Sequence, residues 1–141
     1  MSEAPYSHEL KLGDSMAPLS FFVTRVWNQQ FCLAQDDFDQ RYLADENGRP
    51  PYVHPGLLLS MSANTKSPSF RLAPGTGSVL ARQTCRFLHP ATVDQELTVK
   101  FDVVDVYERN NRRFQVVEST VTDAAGRINL RRQSHLTFVN T

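Results

Sequence analysis

The chain is 141 residues long, with 15 Lys and Arg against 15 Asp and Glu and a formal net charge of zero. That length suits one domain, and 40% hydrophobic residues can fill a core without disulfides or metals, which argues against disorder of the whole chain. Balanced charge argues against an electrostatic nucleic-acid surface, and apolar stretches such as Leu57-Leu58-Leu59 fall far short of the roughly 20 residues of a membrane span.

The opening Met1-Ser2-Glu3-Ala4-Pro5 has no charged segment followed by an apolar one, so no secretory signal is expected. Thr24 suits a helix N-cap, with Val26, Trp27, Gln30, Phe31 and Ala34 at helical spacing after it. A long polar stretch follows from Gln35 to Tyr52, closed by Gly48-Arg49-Pro50-Pro51, and its length without regular structure marks a functional or mobile loop. At His54-Pro55-Gly56 the chain starts afresh. Pro55 fits the first helical position, where its missing N–H costs nothing, and the helix it opens is apolar almost all round and so buried. A second loop from Lys66 to Gly77 holds Pro68, Pro74 and Gly75. Cys32 and Cys85 stand far apart with no second pair, so they read as reduced thiols of a cytosolic protein rather than zinc ligands.

The second half is strand and turn. From Ser78 to Leu88, alternation puts Val79, Ala81, Cys85 and Phe87 on one side and Arg82, Thr84 and Arg86 on the other. Leu97, Val99, Phe101 and Val103 repeat with period two, and the phase then moves to Val104 and Val106, as a β-bulge near 103–104 would cause. Asn110-Asn111 makes a turn, Phe114 to Asp123 a strand, and Asp123 to Gly126 another turn. Ile128, Leu130, Leu136 and Phe138 share one face of a closing strand. These four strands in hairpin order predict an antiparallel meander. A buried helix followed by such a meander is the element order of the hotdog fold, an α+β class in which the sheet wraps a long central helix, here as one domain over 1–141. The exposed edges of a lone meander point to dimerisation.

Chemistry concentrates in Asp36-Asp37-Phe38-Asp39-Gln40-Arg41-Tyr42 and in Tyr52-Val53-His54-Pro55-Gly56. Acid–base work on a small substrate needs a carboxylate and a second proton carrier within reach of one site, plus donors for developing oxyanion charge. The backbone N–H groups opening a buried helix supply such donors. Against this stands the plainer reading, that the three acids are solvated; a magnesium or calcium grip lacks the matching glycine turn and terminal glutamate. His54 beside Pro55 also reads as a turn or cap residue. His8, His89 and His135 read as structural, Cys32 and Trp27 as packing residues, and Arg109, Arg112 and Arg113 as solvated charges at a hairpin.

Phe22-Val23-Thr24-Arg25-Val26-Trp27 and Phe31-Cys32-Leu33-Ala34-Gln35-Asp36-Asp37 resemble the first helix of the MaoC-like dehydratases, which include the (R)-specific enoyl-CoA hydratases. In that family a Thr-capped helix runs into an Asp followed five positions later by a His, and an Ala-His-Gly-Met-like motif opens the central helix. Asp37 falls at the family Asp and His54 at the helix-opening His. Lys11-Leu12-Gly13-Asp14 and Phe87-Leu88-His89-Pro90-Ala91 also look like the family's, and Pro90 and Leu97 keep the pattern before the next strand. Two positions depart from it. Tyr42 stands where the dehydratases place the catalytic His, and Pro55 stands where a Gly is common.

The resemblance implies a hydratase or dehydratase acting at the α,β double bond of an acyl thioester, carried on coenzyme A or an acyl carrier protein. No cofactor or metal, nucleic acid or membrane is expected. The implied assembly is a homodimer, or a hetero-oligomer with another hotdog chain. Asp37 would orient or deprotonate water, Tyr42 or His54 (or another residue supplying the missing imidazole) would handle the other proton, and the N–H of Gly56 or Leu57 would hold the thioester carbonyl. Arg71 could meet a pantetheine phosphate. Two alternatives stay open. Tyr42 can mark a diverted or non-catalytic relative, either an acyl-binding subunit or a tailoring dehydratase or cyclase. A hotdog thioesterase is disfavoured because Leu57 to Asn64 holds no acid.

Overall fold

The computed structural model describes residues 4–140. Its five strands, β1 (Ser15–Phe22), β2 (Thr76–Phe87), β3 (Glu96–Arg109), β4 (Arg112–Thr122) and β5 (Ile128–Asn140), form one antiparallel sheet in the order β1-β3-β4-β5-β2. Between β1 and β2 lie the helices α1 (Arg25–Ala34), α2 (Gln40–Leu43) and α3 (Pro55–Met61).

Period-two burial writes the sheet. Leu97, Val99, Phe101 and Val103 of β3 are all at most 2% exposed, and they share one apolar cluster with Val117, Val121, Leu130 and the α3 residues Leu57 and Leu58. The phase change lies where the sequence puts it, with the β3–β4 register shifting between Val103 and Asp105. Asn110 and Asn111 both take positive φ (53° and 61°), the conformation that closes a two-residue hairpin without splaying its strands.

Three expectations are corrected. The meander holds only for β3, β4 and β5: β2 pairs with β5, from Thr76 opposite Asn140 to Phe87 opposite Leu130, and not with β3. The first half is not helical alone, because Ser15–Phe22 is an edge strand on β3. Its pairing is irregular between Met16 and Leu19, where Pro18 sits, and an edge tolerates that missing N–H. The central helix is also short, at seven residues. The Ser62 hydroxyl (2.9 Å) and the Arg132 guanidinium (2.8 Å) both donate to the Leu59 carbonyl, adding to the long Ser62 N–H bond (3.3 Å) it accepts where the helix stops. Arg132 is 7% exposed and also donates to Gln83 Oε1 (2.6 Å), so it ties β5 to the helix end and to β2.

Candidate active site

The site grows from the two ends of the loop between α1 and α3. Thr24 Oγ1 accepts the Trp27 N–H at 3.1 Å, as an N-cap should. Trp27 and Phe31 pack against the core, while Asn28 and Cys32 are fully buried. At its other end α1 stops through Asp36, which adopts the left-handed conformation (φ 54°) while the Asp37 N–H returns to the Cys32 carbonyl at 2.9 Å. This reversal turns Asp37 back toward α3. Asp37 Oδ1 then accepts the Asp39 N–H (3.1 Å), and Asp39 caps α2 while forking onto Arg41.

Asn28 fixes the rest of the loop. Its amide donates to the carbonyls of Tyr42 and Tyr52, both at 2.9 Å, and its Oδ1 accepts the His54 N–H at 2.9 Å. One buried side chain thus clamps three points of a segment that also closes on itself, with the Tyr52 N–H donating to the Arg41 carbonyl at 2.8 Å. Sequence reading missed it, since a polar residue in an amphipathic helix carries no mark of the partners it will meet.

His54 caps α3 with its ring. Nδ1 accepts the Gly56 N–H at 2.9 Å, so Nδ1 is unprotonated and the proton resides on Nε2, which donates to Asp37 Oδ2 at 2.9 Å. Phe31 and Tyr42 flank the imidazole, with ring centroids at 5.1 and 4.9 Å. Gly56 is required by closeness: a Cβ there would stand 3.1 Å from Nδ1 of His54 and 3.2 Å from Phe31 Cε1. Burial raises the Tyr42 phenol above its ordinary range, so it stays protonated and can only donate near neutrality. Burial also pushes the Cys32 thiol up, which makes it a packing residue and not a nucleophile.

Beside this cluster opens a cavity of about 420 Å³, lined chiefly by apolar groups including Pro55, Leu58, Phe87 and Ala91, with Tyr42 and His89 among the polar ones. Its size and lining suit a small, largely apolar ligand. Among the described residues no group of three or more His, Cys, Asp or Glu side chains is arranged to hold a metal ion.

No protein-family model matches the chain, and no curated protein matches it by sequence. Solved structures do. The (R)-hydratase from A. caviae involved in PHA biosynthesis superposes with a TM-score of 0.74 at 20% identity, over 92% of this chain and 98% of that one. The MaoC-like dehydratase from Rhodospirillum rubrum gives 0.75 at 16% identity, over 97% and 98%. The 3R-hydroxyacyl-ACP dehydratase complex from Mycobacterium tuberculosis gives 0.71 at 18% identity, over 89% and 96%. The chain has the hotdog fold. The resemblance first read in the residues around Asp37 and His54 is to proteins of this same fold.

The structure thus brings Asp37, Tyr42, His54 and Gly56 together. It places others elsewhere. Leu57 is a core residue, and its N–H donates to the His54 carbonyl at 3.0 Å, so in this state neither it nor the Gly56 N–H is free for a thioester carbonyl. Arg71 lies 4.2 Å over the Tyr6 ring and donates to the Ala4 carbonyl at 2.8 Å, outside the cavity lining. Asp37 and His54 stand behind Tyr42 and are not themselves part of that lining.

Proposed function

We propose that the chain is a hydratase or dehydratase of acyl thioesters, adding or removing water at the α,β double bond of an acyl group carried by coenzyme A or an acyl carrier protein. The observation that carries this reading is the Asp37–His54 contact set against Tyr42 at the wall of an apolar cavity. In the hydration direction a water O–H breaks, its oxygen bonds to the β-carbon, and a proton is added at the α-carbon. Asp37 holds His54, whose ring packs against Tyr42 with centroids 4.9 Å apart, so the pair positions Tyr42 at the cavity wall. The neutral phenol of Tyr42 supplies the α-proton as enolate-like charge develops at the thioester carbonyl.

The β2 edge supports self-association. It is a 12-residue edge strand carrying Val79, Leu80 and Phe87 at 45, 48 and 49% exposure, and a second copy of the chain would cover it. Light scattering should then give twice the 16.0 kDa chain mass. With both cysteines free thiols, we place the protein in the reducing cytoplasm.

The deciding experiment follows enoyl-thioester absorbance across a panel from crotonyl-CoA to longer and branched acyl chains. Wild type should bleach at least one substrate, and Asp37→Asn should bleach it about 100-fold more slowly, the scale of a lost positioning contact. A folded wild type inert across the panel would instead favour the diverted reading, which one feature supports: a tyrosine stands at position 42 in place of an imidazole.

A further inference from the structure

The hydration reading leaves one role open, the acceptor of the water's proton. His54 is unsuited to it, because Nδ1 accepts from Gly56 and Nε2 carries the proton given to Asp37. Tyr42 is a protonated donor. The cavity wall has four ionisable side chains, Arg41, Tyr42, Tyr52 and His89, and of these residue types histidine is the usual general base.

His89 is held in the state a base needs. Its Nδ1 lies 3.1 Å from the Ile128 carbonyl oxygen. A carbonyl can only accept, so Nδ1 carries the proton, and in the neutral ring the lone pair is on Nε2. Among the described residues Nε2 has no hydrogen-bond partner in the protein. The backbone is fixed as well: Pro90 follows and disfavours helical geometry at His89, the Asn129 amide donates to the His89 carbonyl at 3.2 Å, and the adjoining Leu88 N–H donates to the Asn129 carbonyl at 2.9 Å.

We propose that His89 is the general base of this site and supplies, from the end of β2, the imidazole that Tyr42 does not provide. This rests on the hydratase reading above. In the step, the water O–H breaks with its proton passing to Nε2 of His89, the oxygen bonds to the β-carbon, and Tyr42 gives its phenolic proton to the α-carbon. The imidazolium and tyrosinate left behind sum to zero charge, and proton return from His89 to Tyr42 through solvent restores both. An acid–base pair facing one cavity also explains why the Asp37–His54 contact can lie behind Tyr42 and act by positioning.

His89→Asn tests this, because its amide N–H occupies the place of Nδ1–H and can still meet the Ile128 carbonyl, whereas the Nε2 lone pair is gone. With a thioester that wild type hydrates, kcat/KM should fall about 100-fold, the scale of general-base catalysis. The acidic limb of the wild-type pH profile should disappear, and added imidazole should restore part of the rate. Equal rates and an unchanged acidic limb would overturn the assignment while leaving the hydratase reading intact. A wild type inert on every thioester would overturn the hydratase reading, and His89's role with it. Should His89→Asn not fold, nitrogen-15 spectra of wild type decide: His89 should show a protonated Nδ1 and a bare Nε2 that shifts on addition of butyryl-CoA, a saturated analogue. A bare Nδ1, or resonances that the analogue leaves unmoved, would overturn the proposal.

Discussion

Nε2 of His54 lies 2.9 Å from Oδ2 of Asp37 while Nδ1 of the same ring holds the Gly56 N–H, so one imidazole joins a loop carboxylate to the first turn of α3. Both bonds matter for stability as well as for placement. His54→Ala should cost about 2 kcal/mol, roughly one from the lost cap and one from the lost bond to a charged group. His54→Asn restores an oxygen acceptor for the helix N-terminus and should recover about half of that. Urea unfolding of the three proteins measures both differences. Equal stability of Ala and Asn variants would mean that the ring's capping bond contributes nothing.

Tyr42 should separate chemistry from folding. No hydrogen bond from its hydroxyl to the protein occurs among the described residues, whereas its ring packs against His54 and its carbonyl accepts from Asn28. Tyr42→Phe keeps the ring and the backbone bond, so its Tm should stay within a degree or two of wild type. Its kcat should fall by about 100-fold, the contribution of one positioned acid. Hydration kinetics beside a thermal melt check the two expectations together, and retention of rate in the Phe variant would remove Tyr42 from the proton path.

Much of this arrangement is legible from local pattern. The Thr24 cap, the bulge after Val103 and the Asn110-Asn111 turn all rest on signals within a few residues, and a motif that spans the loop singles out Asp37 and His54 without saying that they meet. What local pattern does not carry is the identity of distant partners. β1 was hidden because Pro18 interrupts its alternation, and its hydrogen bonds come from β3, as in Phe21 opposite Leu97. The β2–β5 pairing was hidden because hairpin order favours the next strand in the chain, while the long return places β2 at the far edge. His89 read as a turn residue, since nothing in Phe87-Leu88-His89-Pro90-Ala91 records that the Ile128 carbonyl fixes its tautomer.

Asn28 shows the same effect on stability. It is wholly buried and satisfies two carbonyls and one N–H of the active-site loop. Asn28→Ala should cost about 3 kcal/mol, since the Tyr42 and Tyr52 carbonyls and the His54 N–H lose their partner together. Asn28→Asp should be no better, because its carboxylate cannot donate to two carbonyls. Hydrogen exchange should show the cost as local opening of residues 40–54, with the sheet unaffected. Loss of protection spread evenly over β3, β4 and β5 would instead make Asn28 a global core residue.

Asp123 couples acid stability to the same end of the sheet. It is 6% exposed, and burial by itself would raise its carboxyl; hydrogen bonds from the Arg127 N–H, the Asn129 amide and the Ala125 N–H outweigh this and hold it below the usual carboxylate range. A carboxyl depressed in the folded state contributes fully above its unfolded value, near about 3.9, and that contribution is lost as pH falls through the folded value. Asp123→Asn should therefore be less stable than wild type by about 2 kcal/mol at pH 7, by the same margin at pH 5.5, and by progressively less below about pH 4. Urea midpoints at several pH values test this, and a gap that widened in acid would reverse the sign of the shift. The Asn129 amide that donates to Asp123 Oδ2 (3.3 Å) also donates to the His89 carbonyl, so the variant should weaken hydration as well, by loosening the strand end that holds the imidazole. That loss is read at neutral pH, where Asp123→Asn should lower kcat/KM by about tenfold, a positioning effect smaller than removal of the base itself.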